Sequence, residues 1–361
     1  MPVRILKSLF LFMLVTSLSA GDFTLKSIEA GSKQITFSQN NIELNTKDEF
    51  SRLTIPEDGS TTDEGMPELP IYTTFFQMES GTSYEVDYHV ISSYVIEDVY
   101  LYPYQGEAII KGDKPTIQNL EFYNSNTIYP GTNLTVSEPM VMRDIEVSLI
   151  SLIPYQYDPS TRSLIVFDEV ELTINETGFR ESSADLPLRR SRLFEPFYEQ
   201  LIVDYEPLEN RNDYQPSAIM YICGGSSYAH PYVQQLVEWR EKQGYIVYLV
   251  PTNETGTSTG SIRSYLQDVM VDYDTPPEIV GLIGDTGGTY SIPSFTYSGG
   301  ATDVEYSYLS GDDFLPEVFI GRISVTSSSE LGNVINKTLT YEKAENQEDW
   351  WYERAALVGD P

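Results

Sequence analysis

The chain is poor in cysteine, in histidine and in positive charge. Its single cysteine, Cys223, excludes an internal disulfide. Stability must then come from buried surface or from bound metal. Only two histidines, His89 and His230, are present, which leaves few ways to build an imidazole-based site. Lysine and arginine number 22 against 54 aspartates and glutamates, a formal charge of −32 over 361 residues. That balance excludes nucleic acid as a partner, because such an interface needs a basic footprint. Phosphate loops, zinc-ligand spacings and dinucleotide fingerprints are missing as well. Beyond residue 20 no apolar run is long enough to cross a membrane as a helix.

What the chain does have is length for two or three domains with real cores. It also has 27 tyrosines, a residue that favours strands. The stretch 1–20 reads as a secretory signal peptide: Arg4 and Lys7 come first, then the apolar centre Leu9 to Val15, then small residues up to Ala20. A secreted or surface location is the expectation.

From Gly21 to about Thr177 the pattern is short and alternating. Phe23 to Ile28, Tyr84 to Val90 and Ile145 to Ile153 read as strands of period two. Leu164 to Ile174 reads as a strand pair or one long bent strand. Turn clusters separate them and no helical period stands out, so an antiparallel sandwich or barrel is expected. Residues 181–214 read as a linker. It carries the one basic cluster, Arg189-Arg190-Ser191-Arg192, and exposed linkers of this kind are where proteases cut. A maturation cleavage is expected between Arg189 and Tyr214.

After Ser217 the pattern changes to strand, helix, strand, helix, strand. Ala218 to Cys223, Tyr245 to Val250 and Ile279 to Ile283 are continuous apolar runs, as in strands buried on both faces. Helices lie between them, and short connections imply a right-handed parallel sheet. Ser327 and Glu330 mark the start of a further helix, and Ala355 to Asp360 reads as the next strand. Cys223 and His230 flank the first strand-to-helix turn. A thiol nucleophile needs a neighbouring base, but a lone cysteine at a strand end is expected to be a small core residue.

The segment from Pro277 to Arg322 is the most informative. A strand ends in Gly284-Asp285. Thr302-Asp303-x-x-Tyr306 follows, then Gly311-Asp312-Asp313, then Glu317-Val318-Phe319-Ile320-Gly321-Arg322, and a helix ends in Thr338 to Lys343. This ordered string resembles the gingipain-type cysteine peptidases, a secreted bacterial family of caspase-like fold. Gly65-x-Pro67-x-Leu69-Pro70 and the region from Tyr155 to Ile174 resemble that family's propeptide more weakly. No chemistry is assigned to Asp303 or Tyr306.

The resemblance implies a fold class: a β-rich antiparallel sandwich or barrel propeptide followed by the first part of an α/β caspase-like domain with a mainly parallel sheet. The expected order is signal peptide 1–20, propeptide 21–190, linker 191–215, and the N-terminal part of the peptidase domain 216–361. It also implies that the catalytic His-Gly and the nucleophilic Cys lie beyond Pro361. The chain is then the front of a secreted cysteine endopeptidase precursor, inactive by itself. Its expected partners are protein or peptide substrates, and its own catalytic domain bound by the propeptide. Asp360 would be an accessory carboxylate to the missing histidine. Structural calcium is implied too, held by the side chains of Asp285, Asp313 and Glu317 and the carbonyls of Ser310 and Leu315, with Asp312 as a possible substitute. The alternative is a non-catalytic secreted or surface-attached binding protein with a degenerate peptidase-like domain.

Overall fold

The computed structural model describes residues 21–29, 31–40, 42–56, 59–106, 116–182, 188–297, 300–311 and 313–343. The expected signal peptide, Asp312, the expected last strand and Asp360 lie outside the described residues. The chain divides into two compact units. The first takes residues up to 75, 83–137 and 149–178; the second takes 76–82, 138–148 and the chain from 179 onward.

The first unit is antiparallel. Its strands are β1 (Gly21–Glu29), β2 (Ser32–Gln39), β3 (Leu44–Lys47), β4 (Phe50–Leu53), the start of β5 (Tyr72–Gln77), nearly all of β6 (Thr82–Ile96) and β7 (Leu134–Val136). A single-turn helix, α1 (Leu120–Tyr123), is capped by Asn119. Strand β8 (Met140–Met142) and the front of β9 (Ile145–Leu152) fall in the second unit, while the end of β9, β10 (Tyr155–Asp158) and nearly all of β11 (Ser163–Phe179) fall in the first. Strand β11 is one continuous strand of 17 residues, which decides between a strand pair and a single long strand.

Alternation explains the core of this sheet. Phe37 of β2 faces Val170 of β11, and Ile35 faces Leu172; all four are fully buried, because every second side chain of a strand points to the same face. On β6 the alternation marks a strand but no buried face, since Tyr88, Ile91, Tyr94 and Val95 stay exposed. Tyr123 and Tyr157 put their rings in the core and spend their hydroxyls on main-chain carbonyls. Tyr123 donates to Leu101 O at 2.8 Å and Tyr157 to Val99 O at 3.0 Å.

The second unit is built on a parallel sheet. Its elements are α2 (Glu195–Leu201), β12 (Ala218–Cys223), α3 (Pro231–Lys242), β13 (Ile246–Pro251), α4 (Thr252–Thr255), α5 (Thr259–Asp272), β14 (Ile279–Ile283), the hairpin β15 (Phe295–Tyr297) and β16 (Gly300–Thr302), β17 (Phe319–Ile323) and α6 (Ser328–Glu342). The strand order is β13-β12-β14-β17. All six residues of β12 are buried. Met220 and Ile222 pack in one core with Ile262, Leu266 and Val269 of α5, while Tyr221 and Cys223 pack in another with Val233 and Leu236 of α3 and Ile335 and Leu339 of α6. A strand covered on both faces has no polar side, so the run is apolar throughout.

Helix starts follow the expected chemistry. Ser258 and Ser261 form a capping box at α5, and the Ser327 side chain caps α6. Gly244, with φ +98°, ends the turn after α3.

The stretch read as a linker is partly packed: Arg189 and Arg192 of its basic cluster are exposed, while its apolar side chains are anchored. Ser191, Phe194 and Tyr198 are almost wholly buried. Arg190 pairs with Asp144 at 2.6 Å, and Ser191 donates to Glu278. Apolar anchors and a half-buried ion pair hold what composition alone marked as free chain. Among its described residues the longest mainly exposed run is 206–213.

Candidate functional site

The carboxyl ends of β12, β14 and β17 lie together, the usual place for a ligand in a parallel sheet. The chain leaving β14 folds back over these ends. Asp285 N–H donates to Val325 O, Ile292 N–H to Asp285 O, and Thr289 N–H to Thr326 O. This return explains two glycines at the strand ends. A Cβ on Gly284, whose φ is +148°, would sit 1.8 Å from Tyr290 O, and one on Gly224 would sit 2.3 Å from the same atom. Asp285 is held at this end. Its carboxylate accepts from Ser324 Oγ at 2.6 Å and from the Thr286 amide and hydroxyl. Those bonds keep its carboxyl below the usual range.

Cys223 and His230 do not meet. The Cys223 thiol is fully buried and its contact is with Tyr221 O at 3.8 Å. Burial pushes the thiol up to about 12, against a smaller lowering by Ser227. Thiolate, the reactive form, is therefore absent at neutral pH. His230 caps α3 instead: its Nδ1 accepts from Tyr232 N–H at 3.3 Å. Its Nε2 is 2.8 Å from Ser328 Oγ.

The five residues expected to hold calcium do not gather in one place. In register, Ile279 of β14 faces Phe319 of β17 and Ile283 faces Ile323. Asp285 follows the carboxyl end of β14, whereas Ser310, Asp313, Leu315 and Glu317 precede the amino end of β17. The four steps of the strand alone separate these ends by about 13 Å. Asp285 is therefore removed from the set.

The other four residues do form a cluster. Glu317 is fully buried. Its Oε2 accepts from the amides of Leu309 at 2.6 Å and Ser310 at 3.0 Å. Its Oε1 and the Ser310 hydroxyl have no hydrogen-bond partner. Burial raises the Glu317 carboxyl to about 7, against the two amide bonds, and the neighbouring Asp313 adds to the rise. Asp313 accepts from Leu315 N–H and from Val141 N–H, both at 2.8 Å. A buried carboxylate oxygen without a donor is costly, and a hard cation taking carboxylate and carbonyl oxygens would satisfy it. Two carboxylates with the Ser310 and Leu315 carbonyls fit such an ion. Among the described residues no three His, Cys, Asp or Glu side chains converge as a metal group, so main-chain oxygens would have to complete the shell.

Three side chains near these sites escaped sequence reasoning. Arg143 has φ +55° in the turn between β8 and β9 and is fully buried. It donates to Pro277 O at 3.2 Å, to Glu317 O and to Gln215 Oε1 at 3.1 Å, and stands 5.4 Å from the Phe194 ring. Burial lowers its pKa, while the charges of Glu278 and Glu317 oppose that. Nothing in the Met140 to Val147 hairpin sequence marks this arginine. Asp303 and Arg322 did carry a signal, since both sit in the signature string. Arg322 grips Asp303 with Nε and Nη2, both at 2.7 Å, and also donates to Gly284 O, Ile292 O and Pro293 O. Tyr306 donates to Pro293 O at 2.7 Å. These residues fasten the β15–β16 insertion to the exit of β14, which is a structural task.

Comparison with known sequences gives two adjoining matches. The C25 propeptide family matches residues 22–211, and the peptidase family C25 matches residues 213–361. The propeptide model spans more than half of the chain, so the chain belongs to the C25 propeptide family. It carries a C25 propeptide region followed by C25 peptidase sequence. Gingipain R1 of Porphyromonas gingivalis is 25% identical over 349 residues, covering 92% of this chain and 34% of its own length. Lys-gingipain of the same organism is 27% identical over 353 residues, covering 90% of this chain and 20% of its own length. The chain thus spans about a third or less of these relatives. Among solved structures, the complex of the RgpB pro- and mature domains of P. gingivalis covers 51% of this chain and 98% of that chain, at 23% identity and a TM-score of 0.42. Among the described residues no helix is long and apolar enough to cross a membrane.

Proposed function

We propose that this chain is the front of a secreted precursor of a gingipain-like cysteine endopeptidase. The observation that carries the reading is the adjoining pair of family matches, propeptide at 22–211 and peptidase at 213–361. In the parent protein a thiolate attacks the peptide carbonyl, a histidine serves as base, and backbone amides stabilise the oxyanion. On this reading both catalytic side chains come from further along the parent chain, and Asp360 orients the histidine. The buried Cys223 is not placed to replace the nucleophile. The chain by itself is inactive. The order β13-β12-β14-β17 supports a caspase-like domain, and the antiparallel unit supports a β-rich propeptide. A propeptide region directly ahead of its peptidase region supports the propeptide as a partner of its own catalytic domain. The stretch 1–20 directs export.

Two finer points belong to this reading. Calcium is held by Asp313, Glu317 and the carbonyls of Ser310 and Leu315, where it stabilises the loop before β17. Maturation cleaves after Arg211, which is exposed, lies at the seam of the two family matches, and is the single lysine or arginine between Arg192 and Arg240. The test is expression of the whole gene product under reducing conditions. We expect peptide hydrolysis that a thiol-alkylating reagent abolishes, with a mature N-terminus at Asn212. A full-length product that neither hydrolyses peptides nor reacts with a thiol-directed peptide probe overturns the reading in favour of a non-catalytic secreted protein.

A further inference from the structure

In a chain of net charge −32, three arginines line one pocket. Arg189, Arg192 and Arg211 line a cavity of about 670 Å³ together with Asn212, Tyr214 and Gln243, and no acidic residue lines it. Five other arginines, Arg52, Arg180, Arg190, Arg240 and Arg322, each meet a carboxylate, while Arg143 and Arg263 spend their donors on carbonyls. Among the described residues, none of the three pocket arginines meets a carboxylate. Like charges gathered without a counter-charge repel. Here two of them are nonetheless held in place by neutral groups. Arg189 Nη2 donates to Asn212 O and Tyr214 O, both at 3.0 Å, which leaves its other donors for a ligand. The Arg192 guanidinium stands 5.4 Å from the Tyr214 ring, a contact that orients the cation without neutralising it. Arg211 completes the set from the exposed loop. Planar guanidinium forks match oxyanions in pairs, and the volume falls in the ordinary range for small-molecule sites.

We propose that this pocket binds a small multivalent oxyanion, a phosphate or a polycarboxylate, where the propeptide and peptidase sequences adjoin. Bound there, the anion bridges Arg211 to Arg189 and Arg192. It thereby adds a second tie between the exposed loop, which Arg189 already grips at Asn212 and Tyr214, and the segment that carries Arg189 and Arg192. Occupancy then shields the bond after Arg211 from a protease. The binding itself is independent of whether maturation uses that bond; only the shielding touches that reading.

The test is calorimetric titration of the intact chain with inorganic phosphate and, separately, with citrate, against chloride at equal ionic strength. We expect saturable binding with a stoichiometry of one, weakened at least tenfold by Arg192→Gln and by Arg211→Gln. Binding of phosphate alone marks a phosphoryl site, binding of citrate alone a carboxylate site, and binding of both a general oxyanion site. Trypsin is expected to cut after Arg211 several-fold more slowly at saturating anion, and this protection is expected to vanish in Arg192→Gln, which keeps the cleaved residue. No saturable binding of either anion, or undiminished binding in both variants, overturns the proposal. Binding without protection overturns the shielding and leaves the site standing.

Discussion

Cys223 shows how burial decides reactivity. A thiol pushed up to about 12 and sealed between β12 and the helices over it does not ionise at neutral pH. We expect no modification of the native chain by a disulfide reagent at pH 8, complete modification in denaturant, and a cost of about 1–2 kcal/mol for Cys223→Ala in urea unfolding. Rapid labelling of the native protein would contradict this. Arg143 is the opposite case, a charge buried among carbonyls beside the Glu278 carboxylate. Arg143→Met leaves those groups without their cation. We expect a loss of about 3 kcal/mol in the stability of the second unit, the usual cost of breaking a buried ionic arrangement. Cys223 as a core thiol was legible from its place at the end of an apolar run. Arg143 was not, because one arginine in an alternating hairpin looks the same whether it faces solvent or carbonyls.

Strands and helices were legible wherever their periods were clean. The runs at 218–223 and 279–283 became β12 and β14, and the serine-led pattern at 327–330 became the start of α6. The β15–β16 insertion was hidden in a Gly-, Ser- and Thr-rich stretch whose strands are three residues each, too short for alternation to register. What holds the insertion is the Asp303–Arg322 pair. Burial alone would raise the Asp303 carboxyl, but the bonds and charge of Arg322, with Ser294, bring it below its ordinary 3.8. A depressed folded value means the pair stabilises the fold above pH 3.8 and that this stability is lost as pH falls through the lower folded value. Asp303→Asn should therefore cost about 1–2 kcal/mol at pH 7, a difference that shrinks as denaturation is followed to acid. A difference that stays constant down to about pH 2 would contradict the assignment.

For the molecule as a whole, the change of pattern near Ser217 marked where the parallel sheet begins, but not where the two compact units divide. Residues 76–82 and 138–148 join the second unit through hydrogen bonds such as Val141 N–H to Asp313, and sequence order carries no trace of such long-range partners. The same distance in sequence hid the split of the calcium set, because Asp285 and Glu317 look alike in a string and lie at opposite ends of a strand pair. Calcium should raise the melting temperature, by the equivalent of about 2.7 kcal/mol at a hundredfold excess over its dissociation constant. Glu317→Gln should abolish the effect and Asp285→Asn should preserve it; the reverse pattern would restore the discarded ligand. The parent protein is proposed to be a cysteine peptidase. The direct measurement is peptide hydrolysis by the full gene product under reducing conditions, before and after alkylation of thiols. Hydrolysis that alkylation abolishes, accompanied by a new N-terminus at Asn212, is the predicted result. A full-length product without hydrolysis, or with hydrolysis indifferent to alkylation, would contradict it.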